Sequence, residues 1–371
     1  MQVIKELLGE ERYYRLKRAI NINARKKWHK AMYRDIVKNK TVSLADKIWA
    51  YRHGFLSYRI AQFDLNEENM GKYLSDYDYA KLSPVNNMFK SWIDDKLTMK
   101  YILAPFDRFL PEYYFHITLR ASGRVLKLMD CPAACTADIN GIVSMLELRG
   151  ILALKAVSGS HGDGFYKLAY SDGSYFINGC KSAKNILYEL LGSCNDYIVT
   201  EYIEMHEDIK KLNSNSVNSI RLMVANEHGE DPFIGFAYLR VGTKRSGVVD
   251  NVSSGGLSCT IDLNTGEYRD AFIITEKNEI VFYNTHPDTG HNMEGSIPHW
   301  KMICENIIKI CRYIGELEYM GFDIAVTPDG FKILEINSHL ELPLFDFYNP
   351  DVRGYFSRLI KRKGIKTVND F

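Results

Sequence analysis

The sequence predicts an α+β chain, two mixed lobes behind a mainly helical N-terminal region, and three observations carry that expectation. At 371 residues the chain is too long for one small core. Its first 60 or so residues repeat apolar side chains at three- and four-residue steps, the period of a helix packed by one face. From about residue 90 onward, strands and helices interleave without the strict alternation of a doubly wound parallel sheet. The division expected from these changes of pattern is 1–90, 91–200 and 201–371.

Taken in order, Val3, Ile4, Leu7, Leu8, Leu16 and Ile20 set the helical step of the first region. Residues 61–90 are polar and mixed, and no element is assigned there. Asp94 and Asp95 open a helix running through Leu103, with acidic side chains where the helix dipole favours them. Pro105 and Pro111 bound a loop, and residues 113–128 read as strands around an Ala-Ser-Gly turn. A helix follows near 137–149, then the apolar strand Ile151–Leu154, a glycine-rich loop and a strand at 165–170. A helix at 181–191 leads to the strand Tyr197–Glu201, and antiparallel strands are expected at 217–225 and 233–241. A helical period covers 299–318, and two strands flank Pro328-Asp329-Gly330. There is no internal repeat and no low-complexity linker.

Composition excludes several classes. Hydrophobic residues make up 46% and charged residues 25%, as in an ordinary globular protein. A net charge of +1 supplies no strong field for nucleic acid, so none is expected as a partner. Locally, Arg12, Arg15, Lys17, Arg18, Arg25, Lys26, Lys27 and Lys30 form a basic cluster. Its bland reading is a solvated helix face; the sharper one is docking to an anionic membrane surface or an acidic partner. The seven cysteines include no CxxC pair, so free thiols are expected and a zinc site is not. Neither a secretory signal nor an apolar run of membrane-spanning length is present, which predicts a cytoplasmic protein without a transmembrane segment.

Four segments carry chemistry. In GFDIAVTPDGFKILEIN (321–337), Pro328-Asp329-Gly330 suits a three-residue hairpin loop pairing Thr327 with Phe331, with Gly330 in the left-handed position. Asp323 then falls opposite Glu335, and Asn337 shares that face. Opposed carboxylates repel, and a magnesium ion between them would remove the repulsion, with phosphate and water as its other ligands. A two-residue loop would instead put the two carboxylates on opposite faces. Second, Lys155 ends the strand ILALK before a loop with Ser158, Ser160, His161, Gly159, Gly162 and Gly164, whose donors and close backbone approach suit an anion. Third, YIVTEYIEMHED (197–208) is an apolar strand ending in Glu201, which could accept from an adenine amine while downstream acids hold ribose hydroxyls. Fourth, Arg221 in SVNSIR could stabilise charge on a transferring phosphoryl group. Each has a bland reading: an exposed hairpin, a flexible loop, a surface exit or an exposed strand arginine.

In this order the four segments resemble the ATP-grasp superfamily, and the chain is similar to its sugar-transfer-associated branch, found with polysaccharide biosynthesis. The resemblance runs from about His53-Gly54-Phe55 to near the C-terminus and includes DDKLTMKYIL (94–103), LPEYYF (110–115), SVNSIR (216–221), DNVSSGG (250–256), HPDTG (286–290) and GFDIAV (321–326). It implies two α+β lobes clamping ATP, with 91–200 as the lid lobe and 201–371 as the C-terminal lobe with the metal site. By the same resemblance Lys96 and Lys155 reach ATP phosphates, and Ser158, Gly162 and Gly164 belong to the lid loop. Glu201 is the hinge acid at adenine, with Tyr202 and Ile203 supplying backbone contacts, and either His206 or Asp208 sits near the ribose. Asp323, Glu335 and Asn337 match a magnesium set, while Arg221 and Asn251 would line the transfer site.

Two departures stand out. Ala156 follows Lys155 where proline is common, and Gly321 stands where an arginine often precedes the metal-site aspartate. Acyl-phosphate stabilisation would then fall to Arg221 or Arg240. The implied activity is an ADP-forming ligase that uses ATP and Mg2+ to join a small-molecule carboxylate to an amine, one of which could be a uronic acid or amino acid of a surface polysaccharide or its precursor. The alternatives are a sugar or small-molecule kinase, a non-catalytic nucleotide-binding module, and a structural protein docked at a membrane or glycan-assembly partner.

Overall fold

The computed structural model describes residues 22–83, 85–118, 124–158, 164–275, 279–340 and 350–369. The expectations for Val3 to Ile20, for Arg12, Arg15, Lys17 and Arg18, and for Gly159, Ser160, His161 and Gly162 lie outside the described residues. The chain forms two compact units, one of residues 1–87, 274–281 and 339–371, the other of 88–273 and 282–338.

The first unit is helical over its described residues: α1 (Ile22–Lys38), α2 (Leu44–Arg52), α3 (Arg59–Phe63) and α4 (Asp76–Leu82), joined by the late helix Pro350–Lys363. α1 turns Ala24, Trp28 and Asp35 inward. There the Asp35 carboxylate accepts hydrogen bonds from the Tyr51 hydroxyl (2.9 Å) and the Ser57 amide (2.7 Å). α4 lies within 61–90, where no element is assigned from sequence. Its signal is short but present, because Ser75 caps it by accepting from the Asp78 amide at 3.1 Å. The late helix buries Val352, Tyr355, Phe356 and Leu359 completely.

The second unit opens with α5 (Ser91–Asp94) and α6 (Lys96–Ile102). Asp95 is the N-cap of α6 and accepts from the Thr98 amide at 2.7 Å, so the second of the two expected acids marks the helix start. Next come β1 (Tyr113–Ile117), β2 (Val125–Lys127), α7 (Ile139–Arg149), β3 (Ile151–Ala156), β4 (Tyr166–Ser171), β5 (Ser174–Ile177), β6 (Cys180–Ser182), α8 (Lys184–Ser193) and β7 (Tyr197–Glu201). These strands form one antiparallel sheet in the order β2-β1-β7-β3-β4-β5-β6. The expected helix at 181–191 is shifted, because residues 180–182 pair with β5 before α8 begins. Leu152 and Leu154 of β3 turn one way, onto Ile142, Leu146, Leu187 and Leu191 of α7 and α8. By the two-residue strand period, Ala153 and Lys155 turn the other way.

After α9 (Glu207–Lys210) come β8 (Ser219–Ala225), β9 (Phe233–Val241), β10 (Leu257–Ile261), β11 (Glu267–Ile274), β12 (Ile280–Tyr283) and β13 (Gly295–Ser296). α10 (Trp300–Tyr313), β14 (Tyr319–Thr327) and β15 (Gly330–Asn337) complete the unit. The second sheet runs β11-β10-β9-β8-β14-β15 through its centre. Ile220, Leu222, Leu239, Phe322 and Ile324 are fully buried and share one core cluster with Ile303, Ile307 and Ile310 of α10. Alternation leaves Ser219, Arg221, Arg240 and Asp323 on the opposite face. The two antiparallel sheets with their interleaved helices agree with the α+β expectation.

The hairpin β14–β15 corrects one expectation and keeps its consequence. Thr327 pairs with Gly330, not Phe331, so the loop has two residues, and Gly330 at φ 155° opens β15 rather than taking a left-handed turn position. That register alone would place Asp323 and Glu335 on opposite faces. A β-bulge intervenes: Ile324 pairs with Ile333 but Asp323 pairs with Glu335, the extra residue being Leu334. The carboxylates are opposite one another after all. Among the described residues no helix is long and apolar enough to cross a membrane, and all seven cysteines carry free thiols.

Candidate active site

Within the second unit a cavity of about 140 Å³ takes its lining from both sheets. One side presents Lys96 and Lys155, with Glu201, Tyr202 and Ile203 where β7 ends; the other presents Ser219, Arg240, Asp250, Asn251, Asp323 and Glu335. Ala153, Ala156, Phe165, Val217, Val248, Val249 and Leu334 supply the apolar remainder. A small apolar chamber with a few convergent charges is the usual form of a small-molecule site.

The floor is an ion cluster. Asp323 sits opposite Arg221 on β8 and opposite Glu335 on β15. Its Oδ2 accepts from Arg221 Nη2 at 3.1 Å and meets Arg240 Nη2 at 3.0 Å. Arg221 Nε lies 2.5 Å from Asp323 Oδ1, yet the approach is off-axis, and among the described residues neither buried atom makes a hydrogen bond. Burial, reinforced by Glu335 and Asp250, raises the Asp323 carboxyl above its ordinary range despite the two guanidiniums. Glu335 is the opposite case. Burial would raise it, but Lys96 at 3.2 Å, hydrogen bonds with Asp323 and Asn337, and Arg221 together hold it at about 2.

Arg240 ties this floor to the loop after β9. Its Nη2 donates to Ser219 Oγ at 2.7 Å and its Nη1 to Asn251 Oδ1 at 3.4 Å, while Nε lies 3.6 Å from Asp250. Asp250 in turn accepts from the Ser219 amide (2.9 Å) and hydroxyl (2.5 Å). The HPDTG segment fixes the base of that loop. The buried His286 holds the Gly242 carbonyl through Nε2 at 2.8 Å, while its Nδ1 accepts from the Asp288 and Thr289 amides. Asp288 Oδ2 accepts from the Lys244 amide at 2.7 Å.

Across the cavity, burial and then the neighbouring Lys96 push the Lys155 ammonium down to about 8, with Glu335 and Glu201 opposing. Glu201 accepts from the Glu112 amide at 3.1 Å and lies 3.7 Å from Lys332 Nζ. Beside it the Tyr202 hydroxyl is buried without a hydrogen-bond partner among the described residues, and burial raises it to about 12.

Of the residues expected from sequence, the cavity thus collects Lys96, Lys155, Glu201, Tyr202, Ile203, Arg240, Asn251, Asp323 and Glu335. Arg221 and Asn337 stand behind it, Arg221 on Asp323 and Asn337 donating to Glu335 Oε1 at 3.1 Å. Neither ribose candidate lines it: His206 caps α9 and Asp208 pairs with Lys211 at 2.7 Å. Ser158 donates to Asp95 at 3.3 Å. Gly164, at φ 78°, lies where a Cβ would come within 2.6 Å of the Tyr197 hydroxyl. Sequence reasoning missed Ser219 and Asp250, although both sit inside quoted segments, SVNSIR and DNVSSGG. Their spacing of 31 residues gives no periodic signal, and only the sheet brings them together.

No cluster of three or more His, Cys, Asp or Glu side chains forms a ready-made metal cage among the described residues. The donors do fit a cation that arrives with a phosphate ligand. Magnesium needs only one or two protein carboxylates in that case, and Asp323 Oδ1 is a buried oxygen without a hydrogen bond beside Glu335.

Two antiparallel sheets, one offering lysines and the other paired carboxylates and guanidiniums to a shared cavity, define an α+β protein whose charged groups converge on one chamber. Residues 79–361 match the model of the sugar-transfer associated ATP-grasp family, and the chain belongs to that family. No curated protein matches it in sequence. Among solved structures it is similar to N5-carboxyaminoimidazole ribonucleotide synthetase from Thermotoga maritima (12% identity, 67% of this chain and 42% of that one, TM-score 0.34). It is also similar to the ATP-grasp ligase PsnB complexed with minimal precursor, Mg and ADP (14%, 76% and 61%, TM-score 0.37). A third is D-alanyl-alanine synthetase A from Vibrio cholerae (10%, 75% and 66%, TM-score 0.42). The chain therefore spans 42% and 61% of the first two, and likeness at this level says nothing of its reaction.

Proposed function

We propose that this protein is an ADP-forming ligase that uses ATP to join a small carboxylate to an amine, one of them sugar-linked. The observation that carries the reading is the opposition of Asp323 and Glu335 at the floor of a cavity that also takes Lys96, Lys155 and the strand end Glu201–Ile203. Lys96 and Lys155 hold phosphate oxygens as point charges. Glu201 accepts from the adenine amine, and the Tyr202–Ile203 backbone reads the adjoining edge. Asp323 and Glu335, supported by Asn337, would hold magnesium, which supplies neutralisation of the triphosphate and alignment of its oxygens.

In this reading an acceptor carboxylate oxygen attacks the γ-phosphorus in line. The new O–P bond forms as the bond to the β,γ-bridging oxygen breaks, and ADP leaves. The amine then attacks the acyl carbon, loses a proton and expels inorganic phosphate. Arg221 and Arg240 stabilise the charge that builds on the transferring group, in place of the arginine replaced by Gly321. Asn251, held by Arg240, orients the acceptor.

One observation favours a second reading. Both guanidiniums are already engaged by Asp323, which leaves less positive charge for an acyl phosphate than for a hydroxyl acceptor that needs no such intermediate stabilised. A kinase acting on a sugar hydroxyl would use the same ATP site. Incubation with Mg-ATP and carboxylate/amine pairs distinguishes them: the ligase releases ADP and phosphate only with both acceptors present. A stable phosphate ester formed on a sugar hydroxyl without added amine favours the kinase, and release of AMP overturns both.

A further inference from the structure

We propose that the outer face of α1 docks the helical unit on an anionic lipid bilayer. Residues 22–87 and 350–369 carry 18 Lys and Arg against 8 Asp and Glu, whereas the whole chain is nearly balanced at 47 against 46. The excess is densest between residues 22 and 40, where seven Lys and Arg meet a single acid, Asp35. All seven cations are exposed, while Asp35 is buried on the inward side with Tyr51 and Ser57 as its donors. Among the described residues none of the seven is neutralised by an ion pair.

The same face carries apolar side chains toward the C-terminal half of the helix. With Ala24, Trp28 and Asp35 inward, a rotation of about 100° per residue puts Lys26, Lys30, Tyr33 and Val37 on the opposite side. Tyr33 is 69% exposed, Ile36 49% and Val37 52%. Single exposed apolar residues are ordinary, but three within five residues of one helix whose other exposed side chains are mostly cationic make an amphiphilic face. A nucleic-acid backbone would use the cations and leave the aliphatic groups in water. A bilayer uses both: lysine and arginine meet lipid phosphates while the apolar side chains enter the headgroup–acyl boundary. The inference is independent of the ligase reading, since none of these residues lines the nucleotide cavity.

The test is co-sedimentation of the full chain with phosphatidylcholine vesicles, with and without phosphatidylglycerol. Binding is expected only with the anionic lipid, and it should weaken as salt rises. Each basic residue at such a surface strengthens partition about fivefold, so Lys26→Gln/Lys30→Gln/Lys40→Gln should weaken it by roughly a hundredfold. Tyr33→Ser/Val37→Ser should weaken it at unchanged charge, and Lys96→Ala should leave it intact. Circular dichroism confirms that each variant is folded. Equal sedimentation with neutral and anionic vesicles, no sedimentation with either, or retention of single-stranded RNA in preference to vesicles would overturn the proposal.

Discussion

The two sheets that line the cavity meet it in different ways. The seven-stranded sheet and its neighbouring helix bring isolated groups: Lys96 and Lys155 repel one another, and Lys155 is driven to about 8 by burial. The other sheet brings groups already paired, with Asp323 held by Arg221 and Arg240, and Arg240 also by Ser219, Asp250 and Asn251. Lys96 with Glu335 and, at the longer distance of 3.7 Å, Lys332 with Glu201 bridge the two sides. The difference teaches that one wall is built to gain an anion and the other to exchange partners. A bound nucleotide relieves the lysines, whereas a cation must compete with guanidiniums for Asp323.

The comparison is broken most severely at Asp323. Asp323→Ala leaves two partly buried guanidiniums facing an empty position, and removing one member of such a buried pair costs about 3–5 kcal/mol, measurable by urea unfolding. ATP turnover should fall by about a thousandfold in the same variant if several kcal/mol of charge stabilisation pass through this position. Lys96→Ala acts on the other wall, where loss of one charged hydrogen bond of about 1.5–3 kcal/mol should raise KM for ATP roughly ten- to hundredfold. An unchanged KM would mean that Lys96 serves only Glu335.

A subtler test uses pH. Lys155 is lowered from the ordinary lysine value to about 8, so between about 8 and 10.5 the unfolded chain binds more protons than the folded one. Stability should therefore rise with pH across that window as the cost of the buried ammonium disappears, and Lys155→Met should abolish this contribution to the rise in unfolding free energy. Over the same range ATP affinity should fall, because the neutral amine no longer attracts phosphate. The smallest effect is expected from Gly164→Ala: its φ of 78° and the Tyr197 hydroxyl beside it predict a loss of about 1 kcal/mol, read by thermal unfolding.

What could be read from sequence followed local periodicity. Asp323, Glu335 and Asn337 were legible because they lie on one hairpin, where parity decides which side chains share a face. Even there the right pairing was reached through the wrong loop, since the bulge at Leu334 supplies the extra residue that a three-residue turn was expected to supply. The helix start at Asp95 was legible because its capping of α6 is a matter of four consecutive residues, whereas Lys96 beside it was named through the family resemblance. Ser219, Arg240 and Asp250 meet through cross-strand pairing and a long loop, and nothing in their spacing announces it. His206 and Asp208 were named for a sugar contact, but a local capping turn and an i,i+3 pair with Lys211 account for their placement. The family resemblance located the segments; the sheets decided which side chains share the cavity.

The most direct test of the central claim is calorimetric titration of ATP into the wild type and Glu335→Gln, each with and without magnesium. The wild type should bind ATP tightly only with magnesium, and the variant should lose most of that enhancement while remaining folded. Equal affinity with and without the ion in the wild type, or an undiminished enhancement in the variant, would contradict the claim.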